Sequence, residues 1–396
     1  MVKFAHIADC HLGGWRQPEL QQLNFQTFQK VIGIILAEKL DFVLICGDLF
    51  DSAYPPIEIL KETFAEFRKL ADAKIPVYLI AGSHDFSVSG KTFLDVLEKA
   101  GFCKNIANYT VQEDGNIKLK PYIHESFAIY GYPGRKSGME IEDLKKVYFD
   151  SVNPYTIFMA HTTITEVAIK NMDSINKRTL PLANYYALGH IHQVKHIQEG
   201  NQHYVYPGPV FPNNFQELVD LRMGSFQITE ITDKLTTKNI KMPIKEIAYI
   251  EIEIDNGLTA TDKIIQELDK SNLRDKIVLL KLKGTLHTGK TGDIHFNQIE
   301  EFIQKKEPYS YLRNISQLKT QETEISLLPD DLENIEKLEE AIIEEYSKTN
   351  PHNFNKYLPQ LIHTLSIEKN EDEKNAVFED RLLSELKAVL NIDKLL

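Results

Sequence analysis

The sequence predicts an α/β fold: a largely parallel sheet in the N-terminal half, then a small α+β domain, then a helical tail. Short apolar runs without alternation, such as Phe42–Cys46, read as strands buried on both faces. Stretches of helical spacing separate these runs; the pattern restarts after Pro243, and beyond Pro329 the composition turns acidic and helical. Three segments follow: 1–243, 244–328 and 329–396.

Residues 2–8 form the first β-type run, which ends in Asp9-Cys10-His11. In an extended segment residues two apart share a face, so Asp9 and His11 project together with Cys10 opposite. That suits a metal, and for this tripeptide alone a turn cap suits it equally. Phe28, Val31, Ile32, Ile35 and Leu36 give a helix over 25–39. The strand Phe42–Cys46 then completes a βαβ unit, and Gly47 lets the chain turn beneath Asp48. A carboxylate at the carboxyl end of a buried strand lies where open α/β sheets place ligands.

Pro55 and Pro56 break the loop after Asp51, and Ile57, Leu60, Phe64, Phe67 and Leu70 mark a helix over 57–70. The third strand, 76–81, ends in Gly82-Ser83-His84-Asp85. Residues 90–149 are less regular: a helix at 92–100, β-type pieces at 106–111 and 127–131, and an amphipathic helix at 140–149. A strand at 155–160 runs into His161. Tyr185–Gly189 runs into His190-Ile191-His192, which repeats the spacing of Asp9 and His11. After a strand ending at Pro207-Gly208, alternating segments at 225–232 and 234–242 read as antiparallel strands.

Past Pro243, strands at 248–254, 276–283 and 309–315 alternate with helices at 260–268 and 296–304. Lys281, Lys283, His287, Lys290, Lys305, Lys306 and Arg313, beside Tyr309 and Tyr311, form a partly basic set that reads equally as a solvated face or a nucleic-acid face. Beyond 329 lie two apolar stripes: Leu332, Ile335, Leu338, Ile342 and Ile343, then Val377, Leu382, Leu383, Leu386, Val389 and Leu390. They either pack back on the body or meet a partner.

Of the net charge of −12, residues 329–396 supply −8, from sixteen acidic and eight basic side chains. This excludes coating of nucleic acid by bulk charge and leaves room for a local basic groove. Cys10, Cys46 and Cys103 are too few for a disulfide framework or a cysteine-rich zinc site, and read as free thiols. With neither a signal-peptide pattern nor an apolar run of spanning length, a cytoplasmic protein without membrane association is expected.

Asp9, His11, Asp48, His84, His161, His190 and His192 all follow buried-type strands. Imidazoles and carboxylates so gathered meet the needs of a two-metal site acting at phosphorus, with Asp48 suited to bridge. The order DxH, GDxxD, GxHD, a single His, then GHxH resembles the calcineurin-like metallophosphoesterases. Ile7-Ala-Asp-Cys-His-Leu-Gly13, Gly47-Asp-Leu-Phe-Asp-Ser52, Ala187-Leu-Gly-His-Ile-His192 and Tyr206-Pro-Gly208 are more narrowly similar to the SbcD and Mre-eleven nucleases, in an archaeal form, over residues 1–230.

This resemblance implies a metallophosphoesterase β-sandwich flanked by helices, a small capping domain that helps select DNA, and C-terminal helices that bind a Rad-fifty or SbcC-type ATPase, in a homodimer. It implies that Asp9, His11, Asp48 and His192 hold one metal, and Asp48, Ser83, His161 and His190 the other. Manganese, two ions per subunit, ranks ahead of magnesium or zinc for such donors. His84 would stabilise the transition state or protonate the leaving oxygen, oriented by Asp85, without a covalent intermediate. The implied function is DNA exonuclease and single-strand endonuclease in double-strand-break repair, acting on duplex ends, hairpins and single strands. Ser83 stands where the family carries asparagine, so the second metal is expected to bind less tightly. That keeps open a DNA-end tethering scaffold with weak nuclease. A small-molecule phosphatase or phosphodiesterase shares the ligands, but has no evident use for the added domain and tail. Asp51 either supports the ligand shell or caps its turn, and Trp15 either lines the substrate mouth or packs.

Overall fold

The computed structural model describes residues 1–86, 92–150, 155–170, 172–320, 354–367, 369 and 375–390, with 343 and 347 between them. They fall into two compact units, Met1–Lys319 and Thr320–Leu396.

The first unit opens with β1 (Val2–Ile7), α1 (Pro18–Glu38), β2 (Phe42–Cys46), α2 (Ile57–Asp72), β3 (Val77–Ile80), α3 (Phe93–Lys99) and β4 (Lys104–Asn105), whose strands pair in parallel. Next come β5 (Tyr109–Val111), β6 (Ile117–Leu119), β7 (Tyr122–His124), β8 (Phe127–Tyr132), α4 (Glu140–Leu144), β9 (Val147–Tyr148) and β10 (Tyr155–His161). The body ends with β11 (Tyr185–Gly189), β12 (Val194–Glu199), β13 (Gln202–Pro207), α5 (Phe215–Leu221), β14 (Gly224–Ile231) and β15 (Leu235–Met242). Two six-stranded sheets result, in the orders β15-β14-β1-β2-β3-β4 and β12-β13-β11-β10-β8-β7.

Period-two alternation in fully buried strands decides how these sheets stack. Phe42, Leu44 and Cys46 of β2 join Ile157, Met159, Tyr185 and Ala187 in the layer between the sheets. Val43 and Ile45 point the other way, into the core shared with Phe28, Val31 and Ile35 of α1 and Phe67 and Leu70 of α2. The opposite face of the second sheet is covered by the small sheet β5-β6-β9 and α4. The body is a sandwich flanked by helices.

Two boundaries differ from expectation. α1 starts at Pro18 rather than 25, because proline is accommodated at the first helical position, where its missing N–H costs nothing. The helix expected over 140–149 stops at Leu144; Val147 and Tyr148 instead pair with Ile117 and Lys118 of β6, so a strand replaces its second half.

Past the sandwich, β16 (Ile247–Glu253), α6 (Gly257–Asp269), β17 (Ile277–Leu286), α7 (Phe296–Gln304) and β18 (Ser310–Thr320) build a three-stranded sheet with its own core. β17 again sorts its residues by parity. Val278, Leu280 and Leu282 face that core, whereas Ile277 and Leu279 meet Trp15, Leu20, Leu23, Phe211 and Leu218 of the sandwich. Trp15 is therefore a packing residue of this junction, 8 % exposed, with its indole N–H donating to the Pro212 carbonyl at 3.0 Å. The basic set of the small domain is largely engaged within it. Lys281 and Lys283 reach Glu251 at 3.5 and 2.6 Å, Lys306 reaches Asp269 at 2.7 Å, and Arg313 lies 3.8 Å over the Phe296 ring.

In the second unit, α8 (Leu358–Leu365) and α9 (Asn375–Leu390) pack together, with Val377 and Leu383 exposed. The stripe Leu332, Ile335, Leu338 and Ile342 lies outside the described residues.

Candidate metal centre

The carboxyl ends of β1, β2 and β3 in one sheet and of β10 and β11 in the other converge on a single site. Asp9 and His11 follow β1, Asp48 follows β2, Ser83 and His84 follow β3, His161 ends β10, and His190 and His192 follow β11. An extended Asp9-Cys10-His11 is not what positions these two side chains. Asp9, His11, Asp48 and His190 have φ of 52°, 44°, 51° and 88°, in the left-handed region, at a cost of about 1–3 kcal/mol each. Backbone bonds hold the strained loops: Asp9 N–H donates to the Gly47 carbonyl at 3.1 Å and His11 N–H to the Asp48 carbonyl at 3.0 Å. The two side chains still share one side, while Cys10 is buried in the helix-facing core.

Six of the predicted residues form three overlapping groups whose ligating atoms lie within 4.8 Å of one another: Asp9, His11 and His192; Asp9, Asp48 and His161; His11, Asp48 and His84. Both carboxylates are buried and each belongs to two groups.

The donor set fits divalent cations. His11 Nδ1 is bonded to Asp51 Oδ1 at 3.0 Å and His192 Nδ1 to Glu217 Oε1 at 2.9 Å. With those nitrogens committed to carboxylates, the two Nε2 atoms face each other at 3.2 Å across a single shared proton, which a cation would replace. His161 repeats the pattern. Its Nδ1 donates to the Cys46 carbonyl at 2.8 Å, and its buried Nε2 sits 3.2 Å from Asp48 Oδ2, yet off-line for a hydrogen bond and without a partner.

Charge balance points the same way. Burial lowers the pKa of His161, but the charges of Asp48 and Asp9 outweigh it and raise the group to about 10. His192 is raised to about 9, with burial opposed by Asp9 and Glu217. Burial raises that of Asp48, but His161 and His11 outweigh this and hold its carboxyl below the usual range. His190 moves the other way, to about 4, through burial and the neighbouring His161 charge.

The remaining predicted residues are placed as follows. Ser83 Oγ lies 3.4 Å from Asp48 Oδ2, at the site but at the limit of a hydrogen bond. His190 belongs to none of the three groups; its ring stands 5.2 Å from that of His161, and its backbone N–H donates to Asp9 Oδ1 at 3.0 Å. His84 donates its backbone N–H to Asp48 Oδ1 at 2.8 Å, and its Nδ1 meets the Asp51 carbonyl at 2.9 Å. Asp85 does not orient His84. Its carboxylate is buried and taken up by the backbone N–H groups of Gly82, Phe50 and Leu49, at 2.9, 3.0 and 3.3 Å, so it ties the β2 and β3 loops together. Burial and the Asp48 charge push it up to about 6. The orienting role falls to Asp51, through its carboxylate on His11 and its carbonyl on His84.

Glu217 escaped the sequence reading. Asn214-Phe-Gln-Glu217 is legible as a helix start, but nothing in it points to a histidine 25 residues away. Gly47, by contrast, was singled out and is required twice over. It has φ +85°, and a Cβ there would come within 2.2 Å of His161 Nδ1. Gly47→Ala is expected to cost about 1–2 kcal/mol for the left-handed backbone and about 1–3 kcal/mol for overpacking. Thermal unfolding should report that loss, and manganese titration should show weakened binding as His161 is displaced.

A sandwich carrying paired carboxylates and facing imidazoles at converging strand ends defines the class: a metal-dependent phosphodiesterase. Residues 2–194 match the calcineurin-like phosphoesterase family. Among similar proteins, the "DNA double-strand break repair protein Mre11" of Archaeoglobus fulgidus is 24% identical over 416 residues, spanning 97% of this chain and 85% of that one. Its namesake in Sulfolobus acidocaldarius is 26% identical over 343 residues, 82% of this chain and 86% of that one. That of Methanococcus maripaludis is 29% identical over 270 residues, 65% and 68%. The chain thus carries a calcineurin-like phosphoesterase domain over residues 2–194 and is similar to archaeal Mre11 proteins over most of its length.

Proposed function

We propose that this chain is a two-metal DNA nuclease, exonuclease and single-strand endonuclease, that processes duplex ends, hairpins and single strands at double-strand breaks together with a Rad-fifty/SbcC-type ATPase. The observation that carries this is the pair of imidazole nitrogens facing each other at 3.2 Å beside two buried carboxylates. Asp9, His11, Asp48 and His192 would hold one ion, and Asp48, His161, His190 and Ser83 the other, with manganese favoured by oxygen and imidazole donors. When bound, such ions lower the pKa of water and offset charge developing on the phosphoryl oxygens.

The chain's own residues do the rest. Asp51 and Glu217 hold His11 and His192 with Nε2 aimed inward. With Nδ1 of His84 bonded to the Asp51 carbonyl, its Nε2 is free to meet a phosphoryl or leaving oxygen, on a side chain 45% exposed at the mouth of the site. Segment 244–328 serves as the capping domain, 329–396 as the ATPase-binding segment, and the chain works as a homodimer; the family resemblance supports all three roles. The reading of a tethering scaffold draws on Ser83, whose hydroxyl is a short, weak stand-in for an amide ligand.

The test is to incubate the protein and a His84→Ala variant with manganese and labelled linear duplex, a hairpin and a chromogenic phosphodiester. The wild type should degrade DNA stepwise. The variant should lose about 10²- to 10⁴-fold in rate while still taking up two ions. Hydrolysis of the small ester alone would sink the nuclease reading, and DNA binding without cleavage would favour the scaffold.

A further inference from the structure

We propose that Glu217 is a positioning residue of the metal centre, acting through His192; this rests on the two-metal reading above. Its carboxylate is itself held in place. Oε2 accepts the Asn213 backbone N–H at 2.7 Å, and Oε1 accepts both the Asn214 side-chain amide at 2.6 Å and His192 Nδ1 at 2.9 Å. The Asn214 side chain in turn accepts the Glu217 backbone N–H at 2.9 Å, which pins the residue to the first turn of α5. The next residue on that helix, Leu218, is fully buried in the junction with Ile277 and Leu279 of the small sheet. Glu217 thus connects a proposed metal-ligating histidine to the buried contact between sandwich and small domain.

Three donors converge on one carboxylate, and that is a specific demand. A glutamine has one acceptor oxygen, so in Glu217→Gln an NH₂ group faces either Asn213 N–H or the His192–Asn214 pair. The bond that fixes the His192 proton on Nδ1 is then lost or shared. Facing imidazoles need two such anchors. Asp51 supplies one, within a motif read directly from sequence, and Glu217 supplies the other from a helix outside every motif.

The test compares wild type, Glu217→Gln and Asn214→Ala as full-length chains. Manganese is titrated by calorimetry into metal-free protein, and the His192 Nδ1–H resonance is followed by NMR in zinc-loaded protein. The wild type should bind two ions and show a protected Nδ1–H. Glu217→Gln should bind one ion as before and the other about 10- to 100-fold more weakly, with the protected resonance gone. Asn214→Ala loosens the same helix turn but leaves the His192 contact, and should lose far less. Equal affinities and an unchanged resonance in Glu217→Gln would overturn the proposal alone. So would an Asn214→Ala variant that keeps the protected resonance and yet binds as weakly as Glu217→Gln, since helix integrity and not the His192 contact would then be the cause. A wild type that binds no divalent ion would overturn the two-metal reading and this proposal with it.

Discussion

Asp48→Asn should abolish cleavage, by about 10³-fold or more, while leaving the fold intact. Asp48 is the proposed ligand with the most neighbours in the site: Oδ2 lies 3.2 Å from His161 Nε2, 3.7 Å from His11 Nε2 and 3.4 Å from Ser83 Oγ, while Oδ1 accepts the His84 N–H at 2.8 Å. Asparagine keeps the shape and the bond to His84, but removes the charge and turns an NH₂ toward imidazole nitrogens that a cation would otherwise hold. Loss of metal-derived stabilisation of several kcal/mol corresponds to three or more decades in rate. Binding of ions to the folded protein alone also stabilises it, by about 2.7 kcal/mol at a hundredfold excess over Kd. Manganese should therefore raise the melting temperature of the wild type and not that of Asp48→Asn. A variant that still takes up two ions and cuts DNA would remove Asp48 from the bridging position.

How legible these features were in the sequence depended on distance. Phe42–Cys46 was placed to the residue because both faces of β2 are buried and no amphipathic pattern competes. The candidate residues after it converge because strand ends in such sheets meet at one edge. The expected geometry was partly wrong: Asp9 and His11 share a side through left-handed backbone, not through the two-residue repeat of an extended chain. Motif spacing carries residue identity but not the bonding of each atom, so Asp85 was assigned to His84 when three backbone amides claim it. Glu217 lay beyond reach altogether, since only folding brings α5 to His192. The basic set of the small domain reads equally as a solvated or a nucleic-acid face in sequence for a related reason. Its neutralising partners, Glu251 and Asp269, sit on neighbouring elements rather than beside the lysines in sequence.

Metal affinity should keep rising with pH through 8 and toward 9, where ordinary histidine ligands would already have levelled off. A cation takes the Nε2 lone pair, so any proton there must leave first. With His161 raised to about 10 and His192 to about 9, from an ordinary 6.5, each site releases a proton on loading throughout the neutral range. Affinity then gains about tenfold per pH unit for each proton displaced. His190, lowered to about 4, adds nothing to this slope at neutral pH, being already neutral. Calorimetry at pH 8 in two buffers of different ionisation enthalpy would reveal the released protons; identical heats would refute the assignment. The same shift sets the stability of the chelated protein. A histidine whose folded pKa exceeds its unfolded one stabilises fully below 6.5 and loses that contribution as pH rises through about 10. Without metal, stability should fall between pH 7 and 10, whereas the loaded protein, whose cations replace those protons beside Asp9 and Asp48, should hold. Divergence of the two melting curves with rising pH would identify the proton on His161 as the occupant a metal displaces.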